Sequence, residues 1–322
     1  MQPWIVDGHC DSIIDFVEGR RKLADDTGSG HWDLARAKRA GVGLQFMAAF
    51  IETKFKPNLA TLRGLELVEA VHRFVAEQEA AAFLVQSRSD LALLPDGERV
   101  GVLLSIEGGE ILGESLFLVD ILHRLGVRAF GLTWNQRNAL ADGVGEIAAQ
   151  SRLTTFGERV VRRLNDLGIL VDVSHLNEPG FWHVLDISTQ PIIASHSSAK
   201  ALCDHRRNLS DEQLRALARQ RGVVGVNFAP HFLRADGCAT RADVVRHIQH
   251  IAAVAGVETV GLGSDFDGIE TVPVGLEQVG DLPQLIEDLR SAGFNRTEIE
   301  LICHGNFLRV LQEVLPQGKN EH

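Results

Sequence analysis

Six side chains in this sequence could do chemistry together: His9 and Asp11 in His9-Cys10-Asp11, then Glu107, His175, His196 and Asp265. His9 and Asp11 are two residues apart. Because side chains alternate along an extended segment, both point to one side while Cys10 points to the other, which makes a two-ligand claw. Glu107 ends Val102-Leu103-Leu104-Ser105-Ile106 and is followed by Gly108-Gly109. A carboxylate buried there needs a cation or strong donors. His175 closes Val171-Asp172-Val173-Ser174, and His196 closes Ile192-Ile193-Ala194-Ser195. Imidazole and carboxylate together are ligands for a divalent metal. These five exceed what one catalytic zinc with an open position takes, so a carboxylate bridging two ions is expected, with zinc the expected metal, although carboxylate-rich sites also take manganese, cobalt or iron.

Such a site requires elements that end at one rim. Eight short runs rich in Val, Ile and Leu read as strands: Trp4–Val6, Val42–Ile51, Val100–Ile106, Val127–Trp134, Ile169–Ser174, Pro191–Ser195, Gly222–Phe228 and Thr259–Ser264. Helical stretches lie between most of them. Three begin with a hydroxyl residue followed three positions later by Glu or Gln: Thr155 with Glu158, Ser210 with Gln213 and Thr297 with Glu300. Eight strands alternating with helices predict an α/β fold of the (β/α)8 barrel type, one domain over residues 1–322, with its chemistry at the C-terminal strand ends. A doubly wound open sheet is the alternative. A dinucleotide-binding version would need a glycine-rich phosphate loop after the first strand, and Asp7-Gly8-His9-Cys10-Asp11 is not one.

Composition narrows the function further. The chain has 322 residues, 45% of them hydrophobic, enough for a large core. Its net charge is −11, and its basic residues are scattered through stretches such as Arg20-Arg21-Lys22 and Arg159 to Arg163, which argues against nucleic-acid binding. No apolar run reaches the roughly 20 residues that span a bilayer, and no basic-then-apolar leader precedes Trp4, so a cytoplasmic protein without a membrane partner is expected. Cys10, Cys203, Cys238 and Cys303 lack paired spacing and read as reduced thiols. Asp25 to Gly30 reads as a loop. His183, His247 and His250 fall in helical stretches, and His322 ends the chain. Surface or packing roles are expected for these and for Asp172, whose parity along its strand is opposite to that of His175.

The sequence resembles the renal, or membrane, dipeptidase family of the amidohydrolase superfamily nearly end to end. The residues that carry the resemblance are Asp7-Gly8-His9-Cys10-Asp11, Asp33-Leu34, Gly41-Val42-Gly43-Leu44-Gln45-Phe46, Ile106-Glu107-Gly108, Val173-Ser174-His175, Ser195-His196-Ser197, Arg207-Asn208 and Gly263-Ser264-Asp265-Phe266-Asp267-Gly268. The resemblance implies one metal on His9 and Asp11, a second on His175 and His196, and Glu107 between them. It also implies dipeptide hydrolysis, with Arg207 on the substrate carboxylate, Asp265 handling protons or the substrate amine, and a homodimer. A D-residue at the C-terminal position of the substrate is left open. A guanidinium fork suits a carboxylate, and two metals would turn a bridging water into the attacking hydroxide while Asp265 passes a proton to the leaving amine.

Two departures from the family stand out. Trp134 occupies the position of a histidine that steadies the oxyanion in the mammalian type, which leaves the metals, Asn135, Asn138 or a water for that task. The chain also has no tyrosine, so Phe232 is the aromatic expected in the substrate pocket. The secretion signal and lipid-anchor tail of the mammalian enzymes are not expected here. Two rival readings remain: the same barrel and metals acting on a cyclic amide, lactone or phosphoester, and a non-catalytic relative that only binds.

Overall fold

The computed structural model describes residues 3–318. Nine strands form one sheet in which every pairing is parallel: β1 (Ile5–Cys10), β2 (Val42–Phe50), β3 (Ala82–Leu84), β4 (Val100–Glu107), β5 (Val127–Gly131), β6 (Leu170–Asp172), β7 (Ile193–Ala194), β8 (Val223–Val226) and β9 (Val260–Leu262). The order β2-β1-β9-β8-β7-β6-β5-β4 closes through a β2–β4 pairing, so eight strands make a barrel and the open-sheet alternative is excluded. The ninth, β3, is a short addition that the sequence pattern did not indicate. It pairs with Val100–Val102 at the start of β4, while β5 takes Leu104–Glu107 farther along.

Alternation along the strands separates two apolar layers. Val6, Leu44, Phe46, Leu103, Ala129, Leu170, Ile193 and Val223 form one buried cluster with Phe307, Val310, Leu311 and Val314 of the last helix (Asn306–Val314). Their neighbours of opposite parity, among them Val102, Leu104, Phe130, Val171, Ala194 and Val224, join the larger cluster made with the surrounding helices. Along β4, Leu103, Ser105 and Glu107 share one side, so the apolar cluster gives way to polar groups toward the C-terminal rim.

The helix starts differ in detail from the sequence expectation. Ser210 and Gln213 form the expected capping box at helix Asp211–Arg219. Helix Thr155–Leu167 is instead capped by Thr154, whose hydroxyl accepts from the Gly157 N–H. Asn295, paired with Glu298, caps helix Arg296–Glu300, so Thr297 lies inside that helix. A β-region backbone ahead of the first turn is what frees a side chain to cap, and Thr154 and Asn295 adopt it. His183 lies in helix Glu178–Ile187, and His247 and His250 lie in helix Arg241–Ala255, as expected; His322 falls outside the described residues. Among the described residues, no helix is long and apolar enough to cross a membrane.

Candidate metal centre

The strand ends deliver all five expected ligands to one point. His9 Nε2 lies 3.3 Å from Asp11 Oδ2 and 3.2 Å from Glu107 Oε2. The other oxygen of the same carboxylate, Glu107 Oε1, lies 2.9 Å from His175 Nε2 and 3.7 Å from His196 Nε2. Glu107 therefore offers one oxygen to each pair. Asp265 completes the group, with Oδ1 3.9 Å from His9 Nε2.

The backbone works to hold these residues. His175 and Asp265 are two of the four non-glycine residues at positive φ among the described residues, at 65° and 64°, and Asp267 is a third at 63°. Such left-handed positions are disfavoured for side chains with a Cβ and persist where surrounding contacts dictate them. At the β9 end those contacts centre on Asp267, which accepts from Ser12 Oγ, Arg21 Nη2 and the His31 N–H at 2.5, 2.6 and 2.7 Å. Asp267 thus orders the loop rather than facing the ligand cluster. The carboxyl of Asp265 is aimed by Asn227, whose Nδ2 donates to Oδ2 at 2.9 Å.

The imidazoles are aimed in the same way. His175 Nδ1 lies 2.8 Å from Asn135 Oδ1, so the ring donates from Nδ1 and leaves the Nε2 lone pair free. His196 Nδ1 lies 2.8 Å from Ser195 Oγ. The two Nε2 atoms then face each other at 3.0 Å.

Electrostatics match the geometry. Burial opposes an imidazolium at His9, yet Glu107 and Asp11 outweigh it and hold the ring well above its ordinary value. Burial and the Glu107 charge push Asp11 up to about 7. Burial also raises Asp265, to about 6, and Glu107 adds to the rise. Burial would raise Glu107 too, but His9 and His175 keep it well below the usual carboxylate range. Burial and Arg207 take His175 down to about 3, and burial with His9 and Arg207 lowers His196 strongly, so both rings are neutral with lone pairs available. Asp11 Oδ1 is buried without a hydrogen-bond partner. Three carboxylates, converging imidazole lone pairs and an orphaned carboxylate oxygen are a donor set that divalent cations fit.

Arg207 lies beside this cluster, donating from Nη2 to the His196 carbonyl at 3.0 Å. It is buried, its Nε has no partner, and among the described residues no carboxylate lies within ion-pair distance. Phe232 lies 5.6 Å from the guanidinium carbon and stacks on His205. Trp134 stands 6.0 Å from the His175 ring and packs beside Phe50 and the Lys56 ammonium, which also lies over Phe50.

Comparison with known proteins identifies the family. A family model described as membrane dipeptidase, peptidase family M19, matches residues 2–321. The chain belongs to that family. Dipeptidase 3 of Homo sapiens is 31% identical over 320 residues, covering 96% of this chain, and the chain spans 65% of the human protein's length. Dipeptidase 3 of Mus musculus is likewise 31% identical, with 64% of its length spanned. Among solved structures, a family M19 metallopeptidase named dipeptidase AC superposes with a TM-score of 0.92 at 30% identity, covering 98% of this chain and 99% of that one. A metallopeptidase from Rhodobacter sphaeroides, liganded with a phosphinate mimic of the dipeptide L-Ala-D-Ala, superposes equally well at 29% identity, covering 98% of this chain and all of that one.

Against this M19 frame, two sequence expectations need correction. Asn138 is not available to a reacting oxygen: its Nδ2 donates to the Leu132 carbonyl and its Oδ1 accepts from Leu140 and Ala141. Asp172 is neither a surface nor a simple packing residue. It is buried and takes the Ser195 hydroxyl that touches His196. Asn135, expected at the substrate, has its amide oxygen on His175. Asn227 was not singled out in the sequence, because its role depends on a neighbour from another strand.

Proposed function

We propose that this protein is a binuclear metallo-dipeptidase that cleaves the peptide bond of dipeptides, including those with a D-residue at the C-terminal position. The observation that carries this reading is Arg207, a buried guanidinium with an unpartnered Nε and no carboxylate partner among the described residues, set beside the ligand cluster. A buried charge left so is costly until an anion pairs with it, and the free C-terminal carboxylate of a dipeptide supplies that anion at the distance of one residue from the scissile bond. A neutral lactone or cyclic amide would leave the guanidinium unpaired.

His9 with Asp11, and His175 with His196, would hold two divalent cations, zinc in this reading, with one Glu107 oxygen for each. When bound, these ions supply Lewis acidity at the scissile carbonyl and an acidified water. Arg207 anchors the substrate carboxylate and so fixes the position of the peptide bond over Glu107. Asp265, held at Oδ2 by Asn227, keeps Oδ1 toward the cluster, where it accepts a proton during attack and returns it to the leaving amine. Phe232 backs the Arg207 guanidinium, and Trp134 walls the pocket on the His175 side. Support for the substrate class comes from the family match and from the dipeptide mimic held by the Rhodobacter sphaeroides relative.

The test is turnover of L,L- and L,D-dipeptides by protein purified without added metal, then titrated with zinc while bound metal is counted. Cleavage that rises toward two metals per chain, and is lost on C-terminally amidated dipeptides, is expected. Two bound metals without cleavage of any dipeptide would overturn the proposal.

A further inference from the structure

Asp172 and Ser195 lie outside the ligand set, yet they decide which nitrogen of His196 carries hydrogen. Asp172 Oδ1 accepts from the backbone N–H of Ser174 at 2.9 Å and of Ser195 at 3.0 Å. Asp172 Oδ2 lies 2.5 Å from Ser195 Oγ. A carboxylate can only accept, so the Ser195 hydroxyl donates to Asp172. Its oxygen then offers only lone pairs to His196 Nδ1 at 2.8 Å, and the ring must donate there. Nε2 is left as a bare lone pair directed at Glu107 and His175. The three residues are buried, so water does not compete for these bonds.

We propose that Asp172, acting through Ser195, is a positioning residue that fixes the His196 tautomer and thereby the affinity of the centre for its cation. The inference rests on reading the His175–His196–Glu107 group as a cation site. The partner of a ligating imidazole's second nitrogen commonly sets its tautomer and basicity, and losing that partner costs about 10- to 100-fold in metal affinity. His175 has an amide oxygen for the purpose, whereas His196 has a hydroxyl that is itself held by the Asp172 carboxyl group.

The polarity of the relay gives a test that a packing role would not pass. In Asp172→Asn, the amide oxygen must stay on the Ser174 and Ser195 N–H groups, because an NH2 group cannot accept from them. The new Nδ2 then donates to Ser195 Oγ, the serine hydrogen turns toward His196 Nδ1, and the ring is driven to carry its proton on Nε2, where the cation belongs. The smaller change in shape should therefore do the greater harm. Ser195→Ala simply removes the constraint and leaves the ring free to adopt the required tautomer.

Zinc affinity would be measured by chelator competition on the full chain, with His196 assigned by 15N imidazole spectroscopy of the metal-free protein. Expected are an Nδ1–H ring in the wild type, a loss of about 100-fold in affinity with an Nε2–H ring in Asp172→Asn, and a loss of about 10-fold in Ser195→Ala. The double variant Asp172→Asn/Ser195→Ala should recover toward the Ser195→Ala value, because the reversed hydrogen bond has lost its messenger. Ser174→Ala, which removes a neighbouring hydroxyl that accepts from the His196 backbone N–H, is the control and should leave the tautomer unchanged. An unaltered tautomer in Asp172→Asn, or a double variant no better than Asp172→Asn, would overturn the relay. A tautomer that inverts in Asp172→Asn as described, while the wild-type protein binds no zinc, would refute the cation site instead.

Discussion

A Cβ on Gly268 would sit 2.0 Å from Oδ2 of Asp11. The same atom would lie 2.5 Å from Oδ1 of Asp265, so this one glycine makes room for the candidate ligand Asp11 at the end of β1 and for the Asp265 carboxyl after β9. Gly268→Ala should leave the barrel folded but displace both carboxylates. Misplacement of reacting groups by about 1 Å costs on the order of 100-fold in rate. Expected are a fall in bound metal below two per chain and a loss of at least that size in kcat/KM, with the thermal melt little changed. Full metal content with wild-type kinetics would show that the loop yields freely.

If Arg207 anchors the substrate carboxylate as proposed, Arg207→Met should raise KM far more than it lowers kcat, because the carboxylate does not react. Loss of one partner from a buried charge pair costs about 2–5 kcal/mol, which corresponds to a drop in kcat/KM of roughly 30- to 5000-fold. The folded protein should be at least as stable as the wild type, since the substitution removes a buried charge that no carboxylate of the described residues pairs with. Steady-state kinetics and a thermal melt on one sample check both halves; unchanged KM would release Arg207 from the substrate.

Asp265→Asn keeps the shape of the side chain and the reach to Asn227 while removing the proton acceptor. Metal content should remain at the wild-type value, because Asp265 Oδ1 stands 3.9 Å from His9 Nε2, farther than either Asp11 or Glu107. General acid–base groups contribute about 100- to 10,000-fold, so kcat should fall within that range. Turnover that survives with metal in place would transfer the proton to another group.

His247 should make stability fall in mild acid. It sits in helix Arg241–Ala255 with Nδ1 accepting from the Ala199 N–H at 3.0 Å and Nε2 at 3.1 Å from the Leu233 carbonyl, so both nitrogens are committed to the neutral ring. Burial lowers its pKa from 6.5 to about 4. The unfolded chain binds the proton first, so this contribution is complete above pH 6.5 and is lost as pH falls from 6.5 toward 4. Between pH 7.5 and pH 5 the loss amounts to about 2 kcal/mol. Urea unfolding at the two pH values should show that difference in the wild type and a smaller one in His247→Gln; equal slopes would dismiss the histidine as the cause.

Most of the barrel was legible because a buried parallel strand writes itself as an unbroken apolar run, and the ligand follows directly where the run stops, as Glu107 follows Ile106. Ala82–Leu84 escaped notice because three residues carry no period, and its pairing depends on the start of β4. The candidate ligands could be picked out from residue type and placement. The groups that aim them could not: Ser195 reaches Asp172 across two neighbouring strands, and Asn227 reaches Asp265 from β8 to β9. Parity along one strand assigned Asp172 to packing, since the consideration that mattered was its register with the next strand, where Asp172 pairs with Ile193.

The left-handed backbone at His175 and Asp265 means that stability and chemistry pull in opposite directions at this rim. Glycine would relax either position, and a random search for hardier variants would be drawn to those very codons. Lineages freed from the need to cleave should therefore drift toward sturdier, inert barrels, while active ones must keep the strain and draw their robustness from the apolar layers below.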